Sequence, residues 1–124
     1  MGMGKDYPVY FEQLQKRMGL VGQDLPGVMS GFGQLHKASL ENGALSTKIK
    51  ELIALAIAIV VRCDGCISYH VHDALKSGVS REEILEAIGV AILMGGGPAV
   101  VYGCEALEAL AQFEKNEAMC PRSR

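Results

Sequence analysis

The chain has 124 residues, 12 Lys and Arg against 14 Asp and Glu, a formal charge of −2 and 49% hydrophobic residues. That length predicts a single domain over 1–124, and the near-balanced charge with no basic cluster argues against a nucleic-acid partner. The longest apolar run, Leu52 to Val61, is ten residues, short of the roughly 17–25 that cross a bilayer; the opening Met1-Gly2-Met3-Gly4-Lys5 has no apolar stretch of a secretory leader, so the cytoplasm is the expected compartment.

Aromatic residues make up only 6% and Trp is absent, so the core must come from small and aliphatic side chains, as in close-packed helices. The expected class is all-α with about six helices. Tyr7, Phe11, Leu14 and Met18 recur at helical spacing and predict a first amphipathic helix ending at Gly19, followed by a turn over 22–27. A second helix is expected from Asp24-Leu25-Pro26, with Asp24 as N-cap and Val28, Phe32, Leu35 and Ser39 along one side, stopping at Asn42-Gly43. Ser46 or Thr47 then caps a third helix whose Ile49, Leu52, Ile53, Leu55, Ala56, Ile57, Ile59 and Val60 point in nearly every direction. This predicts burial all round, and in so short a chain burial against another subunit.

Asp64-Gly65 interrupts the apolar run, and a fourth helix is expected from about Cys66 to Ser77 with Gly78 just beyond its end. Ser80 and Glu83 have the spacing of a capping box, and Val79 with Ile84 that of the apolar contact around it, so a fifth helix starts there and presents Ile84, Leu85, Ile88, Ala91 and Ile92 to the core. Gly95-Gly96-Gly97-Pro98 must end it. A sixth helix follows through Val100, Cys104, Leu107 and Leu110 to about Glu117, and 118–124 read as a disordered tail.

The chemistry concentrates in Cys63-Asp64-Gly65-Cys66-x-x-x-His70. On a helix these three side chains leave at roughly 0°, 300° and 340°, within one face. Two cysteines three apart can close a reversible disulfide, with Gly65 easing the turn. The unpaired N–H groups of a helix start lower a thiol pKa from about 8.5, and His70, one turn after Cys66, can act as the base. Structural zinc needs four converging ligands, but His72 falls on the opposite face and no second pair follows. A haem attachment would need His at position 67, which is Ile. An inert pair of small hydrophobes is a further alternative. Cys104 is expected in the core, Cys120 as a free surface thiol, and His36 and His72 at the surface. The glycine triplet lacks the preceding strand and following Lys of a phosphate loop.

Glu51, eleven residues, Cys63-Asp64-Gly65-Cys66, three residues, His70, then Ala74, Gly78 and Ser80-Arg81-Glu82-Glu83-Ile84 together resemble the carboxymuconolactone decarboxylase family in its AhpD-like alkylhydroperoxidase branch. The block runs from about Ser46 to Gly97. The resemblance implies an AhpD-like all-α fold assembled as a homo-oligomer, a trimer or hexamer. It implies a thiol peroxidase or disulfide-reducing activity on hydroperoxides, with an external thiol reductant and no metal or organic cofactor. It also implies that Glu51, Cys63, Cys66 and His70 form a proton relay around a redox pair. One member type carries a His between the cysteines where this chain has Gly65, which would shorten the relay. Founding decarboxylases lack the pair, so lactone decarboxylation is the lesser reading; a non-enzymatic oligomeric module with a zinc-binding or inert cysteine pair is the other.

Read from the residues alone, Glu51 is a solvated charge near a helix start, since twelve residues of straight helix span about 18 Å. Only a chain that folds back, or a second subunit, brings it to the cysteines. Exposure at the helix start favours Cys63 as the attacking thiol and the spacing to His70 favours Cys66; the preferred assignment is Cys66 attacking and Cys63 resolving.

Overall fold

The computed structural model describes residues 4–119, and within them the chain is six helices with no strand: α1 (Tyr7–Asp24), α2 (Pro26–Leu40), α3 (Thr47–Val60), α4 (Asp64–Lys76), α5 (Arg81–Gly95) and α6 (Gly97–Met119). The all-α expectation holds. Helix α3 packs on α4, α5 and α6, α4 and α5 pack on α6, and α1 lies across α4 and α6, while α2 rests chiefly on α1. The core formed between them is aliphatic, with Leu55, Ile59, Ile67, Val71, Ile84 and Leu110 closed off by Tyr7 and Phe11.

The local start signals act as expected. Ser46 accepts from the Ile49 N–H, and Ser80 and Glu83 exchange both bonds of a capping box. Val79 and Ile84 on either side of that box are both buried. Helix α4 ends with Gly78 at φ +88°, where the Gly78 N–H reaches the Leu75 carbonyl and the Val79 N–H the Ala74 carbonyl. This is a Schellman ending, which needs a left-handed residue and so favours glycine.

Helix α3 ends in the same way without a glycine. The Arg62 N–H donates to the Ile59 carbonyl, the Cys63 N–H to the Ala58 carbonyl, and Arg62 takes φ +61°. Among the described residues it is the one non-glycine with positive φ. The reversal turns the chain back so that α4 runs beside α3 and starts at Cys63.

The helix ends and faces depart from the expectations at several points. Helix α1 runs through Gly19 and Gly22 to Asp24, because a lone glycine does not stop a helix; the break falls at Leu25, which precedes Pro26 and is excluded from helical backbone by the proline ring. Asp24 is therefore the last residue of α1, and Leu25 caps α2 without a side-chain bond. Helix α2 buries no residue: Val28, Phe32, Leu35 and Ser39 are exposed.

Within the single chain the partners of α3 cover one side, Glu51, Leu55, Ala58 and Ile59, and leave Ile49, Ile53, Ile57 and Val60 open. Helix α6 faces the core with Ala99, Gly103, Ala106, Leu110 and Phe113, while Val100, Cys104 and Leu107 are exposed. The reason is close approach: a Cβ on Gly103 would lie 3.0 Å from Ile88 Cγ2, so the small residues must face α5. Residues 118 and 119 continue α6, and the rest of the expected tail, 120–124 with Cys120, lies outside the described residues.

A left-handed backbone costs an L-residue about 1–2 kcal/mol, and glycine's greater unfolded freedom returns about 0.5–1 kcal/mol of that. Arg62→Gly should therefore raise the thermal midpoint by a few degrees and Arg62→Val lower it, as read by thermal denaturation. A lower midpoint for Arg62→Gly would show that the Arg62 side chain, not the backbone turn, holds the α3–α4 joint.

Candidate active site

Cys63 stands at the N-cap of α4, where its Sγ accepts the Cys66 N–H at 3.2 Å. A capping atom normally satisfies one of the unpaired N–H groups of a helix start, so the sulfur sits where that start stabilises negative charge. Cys63 and Cys66 are joined as a disulfide with their Cα atoms 5.2 Å apart. Both residues are half-buried.

The turn between the cysteines is held from α1. Asp64 is ion-paired to Lys5, which also lies over the Tyr10 ring at 5.0 Å. The Asp64 bond holds the Lys5 ammonium above its usual range, ahead of a smaller opposing effect of burial. A Cβ on Gly65 would come within 3.0 Å of Leu14 Cδ2, so glycine here admits α1 directly onto the disulfide turn. The start of α1 and the residue Lys5 before it are tied to α6: the Tyr7 N–H donates to Gln112 Oε1 at 2.7 Å, the Tyr7 hydroxyl to Glu105 Oε1 at 2.8 Å, and Gln112 Nε2 to the Lys5 carbonyl. Burial, then the Glu105 bond, pushes the Tyr7 phenol well above its ordinary range and keeps it a donor.

Behind the turn, His70 Nδ1 lies 2.8 Å from Glu51 Oε1. Glu51 is 3% exposed, so the reading of it as a solvated helix-start charge is corrected. Its geometry comes from one chain: the reversal at Arg62 folds α4 back along α3. The straight-helix figure kept Glu51 from Cys63 along α3; the partner it reaches is His70, on the returning helix.

An ionised carboxylate only accepts, so with Glu51 ionised the shared proton would sit on His70 Nδ1. In the neutral ring Nε2 then carries the lone pair. A bond to a charged group contributes about 1.5–3 kcal/mol, and an unpartnered carboxylate buried at this depth would cost several kcal/mol. The pair therefore fixes the imidazole as well as satisfying the acid. His70 is one turn from Cys66 on α4, within the reach of paired side chains on one helix face.

The remaining candidates separate cleanly. His72 bonds Asp73 at 2.9 Å and stacks on Phe11 with centroids 4.1 Å apart, away from the cysteine turn. Cys104 is exposed rather than in the core. His36, expected at the surface, is half-buried with its ring nearly parallel to that of His70, 18° between planes and 6.4 Å between centroids. Reading residues as isolated in sequence missed it, although the four-residue step from Phe32 puts both on one face of α2. Among the described residues no three His, Cys, Asp or Glu are placed to hold a metal ion.

Comparison with known proteins bears on the family and the fold. A family model described as carboxymuconolactone decarboxylase family matches residues 26–109. An uncharacterised protein of Cupriavidus necator is 37% identical over 112 residues, covering 90% of this chain and 96% of its own. The alkyl hydroperoxide reductase AhpD of Nocardia farcinica is 38% identical over 61 residues, which is 49% of this chain and 34% of that protein. A crystal structure of a carboxymuconolactone decarboxylase family protein from Legionella pneumophila superposes with a TM-score of 0.84 at 39% identity, covering 86% of this chain and 96% of that one. One from Thermotoga maritima gives 0.80 at 29% identity, covering 89% and 94%.

Proposed function

The chain belongs to the carboxymuconolactone decarboxylase family, and within it we propose that this protein is a thiol peroxidase that reduces hydroperoxides at the Cys63–Cys66 pair. The observation that carries the reading is the buried Glu51–His70 hydrogen bond beside a cysteine pair already closed as a disulfide. The partial likeness to AhpD supports it, as does the Thermotoga protein, suggested to be involved in an antioxidative response.

In the reduced protein His70 Nε2 takes the Cys66 thiol proton. The thiolate attacks the terminal oxygen of the hydroperoxide: an S–O bond forms, the O–O bond breaks, and the leaving alkoxide takes the proton from the imidazolium to become an alcohol. Cys63 then attacks the Cys66 sulfenic acid, forming the S–S bond and releasing water with the Cys63 proton. An external dithiol reduces the disulfide by exchange and is itself oxidised, in the cytoplasm where such reductants are kept. The bond from the Cys66 N–H to Cys63 Sγ favours a second assignment, with Cys63 as the attacking sulfur. Closed as a disulfide, the two sulfurs are not free to ligate zinc.

Reduced protein mixed with cumene hydroperoxide should consume one equivalent and lose two thiols. Cys63→Ser should still react and leave a Cys66 sulfenic acid that dimedone traps, Cys66→Ser should not react, and His70→Ala should slow the reaction by about 10²-fold while His72→Ala does not. Reaction by Cys66→Ser with trapping at Cys63 would reverse the two roles. No peroxide consumption by the unaltered protein would end the peroxidase reading.

Self-assembly belongs to the same proposal. Phe32 and Leu35 of α2 and Ile49, Ile53 and Ile57 of α3 are all exposed in the single chain, Leu35 by 61% and Ile57 by 56%. Exposed apolar side chains in such number mark an interaction surface, and family members are often oligomeric. Light scattering at micromolar concentration should give a trimer or hexamer, and Ile57→Asp should shift it toward the single chain, because a carboxylate buried there without a partner costs several kcal/mol. A single chain from the unaltered protein would contradict this.

A further inference from the structure

We propose that His36 is the port through which the Glu51–His70 pair exchanges protons with solvent, on a side of the site separate from the sulfurs. The inference rests on the reading of His70 as the base for the thiol. A thiolate that waits for substrate stays formed only if the proton it gave to the imidazole leaves for solvent, and that proton must be back on the imidazole when the alkoxide departs. Glu51 is nearly inaccessible, yet it lines a cavity of about 360 Å³ open to solvent between α2, α3 and α4. His36, Lys37, Glu41, Asp73 and Lys76 also line it, and neither Cys63 nor Cys66 does. That volume accommodates several waters, each of which occupies about 30 Å³ in the liquid.

The groups facing this space differ in what they can carry near pH 7. Among the side-chain types present, ammonium ordinarily holds its proton, carboxylate ordinarily does not, and imidazole alone exchanges in that range. Asp73 is also engaged by His72 at 2.9 Å. His36 adds a geometric reason, because it lines the cavity beside Glu51 and its ring lies nearly parallel to that of His70, 6.4 Å between centroids.

The path is a sequence of proton hops in which no electrons change owner. His70 Nε2 accepts from the Cys66 thiol, Nδ1 passes one proton to Glu51 Oε1, Glu51 releases it to a cavity water, and His36 takes it from that water and yields it to bulk. Protonation of the leaving alkoxide draws on the same path in reverse. Helix α2 thus contributes to the site while burying no residue of its own, and His36 acts through Glu51 and His70 without touching the substrate.

The test is chemical rescue in the full-length reduced protein. In weak buffer at pH 7, His36→Ala should slow cumene hydroperoxide reduction roughly tenfold, less than the loss expected for the base itself. Added imidazole should restore the rate with saturation while leaving the unaltered protein unchanged. His36→Gln, which keeps a polar side chain of similar reach, should be equally slow before rescue. Rates equal to the unaltered protein, or a loss that imidazole does not restore in a variant with an unchanged thermal midpoint, would overturn the port. His70→Ala run alongside separates the two claims: slow His70→Ala with fast His36→Ala removes the port alone, whereas fast His70→Ala removes the base on which it rests.

Discussion

A carboxyl group placed 3% exposed inside a small helical protein has to be answered by a hydrogen-bond partner, and here the partner is His70 Nδ1 at 2.8 Å from Glu51. Much else follows from that requirement. Glu51 is in the second turn of α3 and His70 in the second turn of α4, so they meet only if the two helices run antiparallel through a tight reversal. The reversal is the left-handed Arg62, whose neighbours complete the closing hydrogen bonds of α3. Its next residue is Cys63, which becomes the cap of α4. One turn therefore sets both the Glu51–His70 pair and the sulfur at the helix start, and backbone strain at Arg62 is the cost of placing them together.

The disulfide turn and the relay are supported from opposite sides. Lys5, Tyr10 and Leu14 lie over the cysteine turn, anchored to α6 by Tyr7 and Gln112. Glu51 borders the space open toward α2, and the His70 ring lies nearly parallel to that of His36 on α2. This division explains why Gly65 is suited to the position: a side chain there would meet Leu14 and lift α1 from the turn. It also assigns α2 a place in the chemistry although its apolar residues turn outward. The outward faces of α2 and α3 are the largest mismatch between this single chain and a self-sufficient core, and assembly is the physical remedy that the mismatch suggests.

The elements whose signals are local were legible in the sequence. Ser80 and Glu83 announce α5 because both partners of the capping box lie within four residues, and Gly78 announces the end of α4 for the same reason. The end of α1 was misread at Gly19 because a permissive residue was weighted above Pro26, whose ring imposes the break one residue earlier at Leu25. The α6 stripe failed differently. Val100, Cys104 and Leu107 have the spacing of a core face, but the core side is set by how closely α6 approaches α5, and that distance selects Gly103 and Ala106. Of the site, Cys63, Cys66 and His70 share a face that periodicity alone reveals. The Glu51 contact depends on the chain returning, and the residues by themselves pointed to solvent; only the family spacing placed it. The neighbouring ring of His36 comes from a helix separated from α4 by the whole of α3, so no local pattern carries it.

The proton position on His70 decides whether the buried pair can serve the thiol. Side-chain ¹⁵N spectra of the reduced protein, with the His70 signals assigned by their loss in His70→Gln, report it directly. The prediction is a neutral ring above its titration that is protonated at Nδ1, toward Glu51, and bare at Nε2. A proton on Nε2 would mean that Nδ1 accepts from a protonated Glu51 and that no base is available to Cys66, contradicting the relay at its first step.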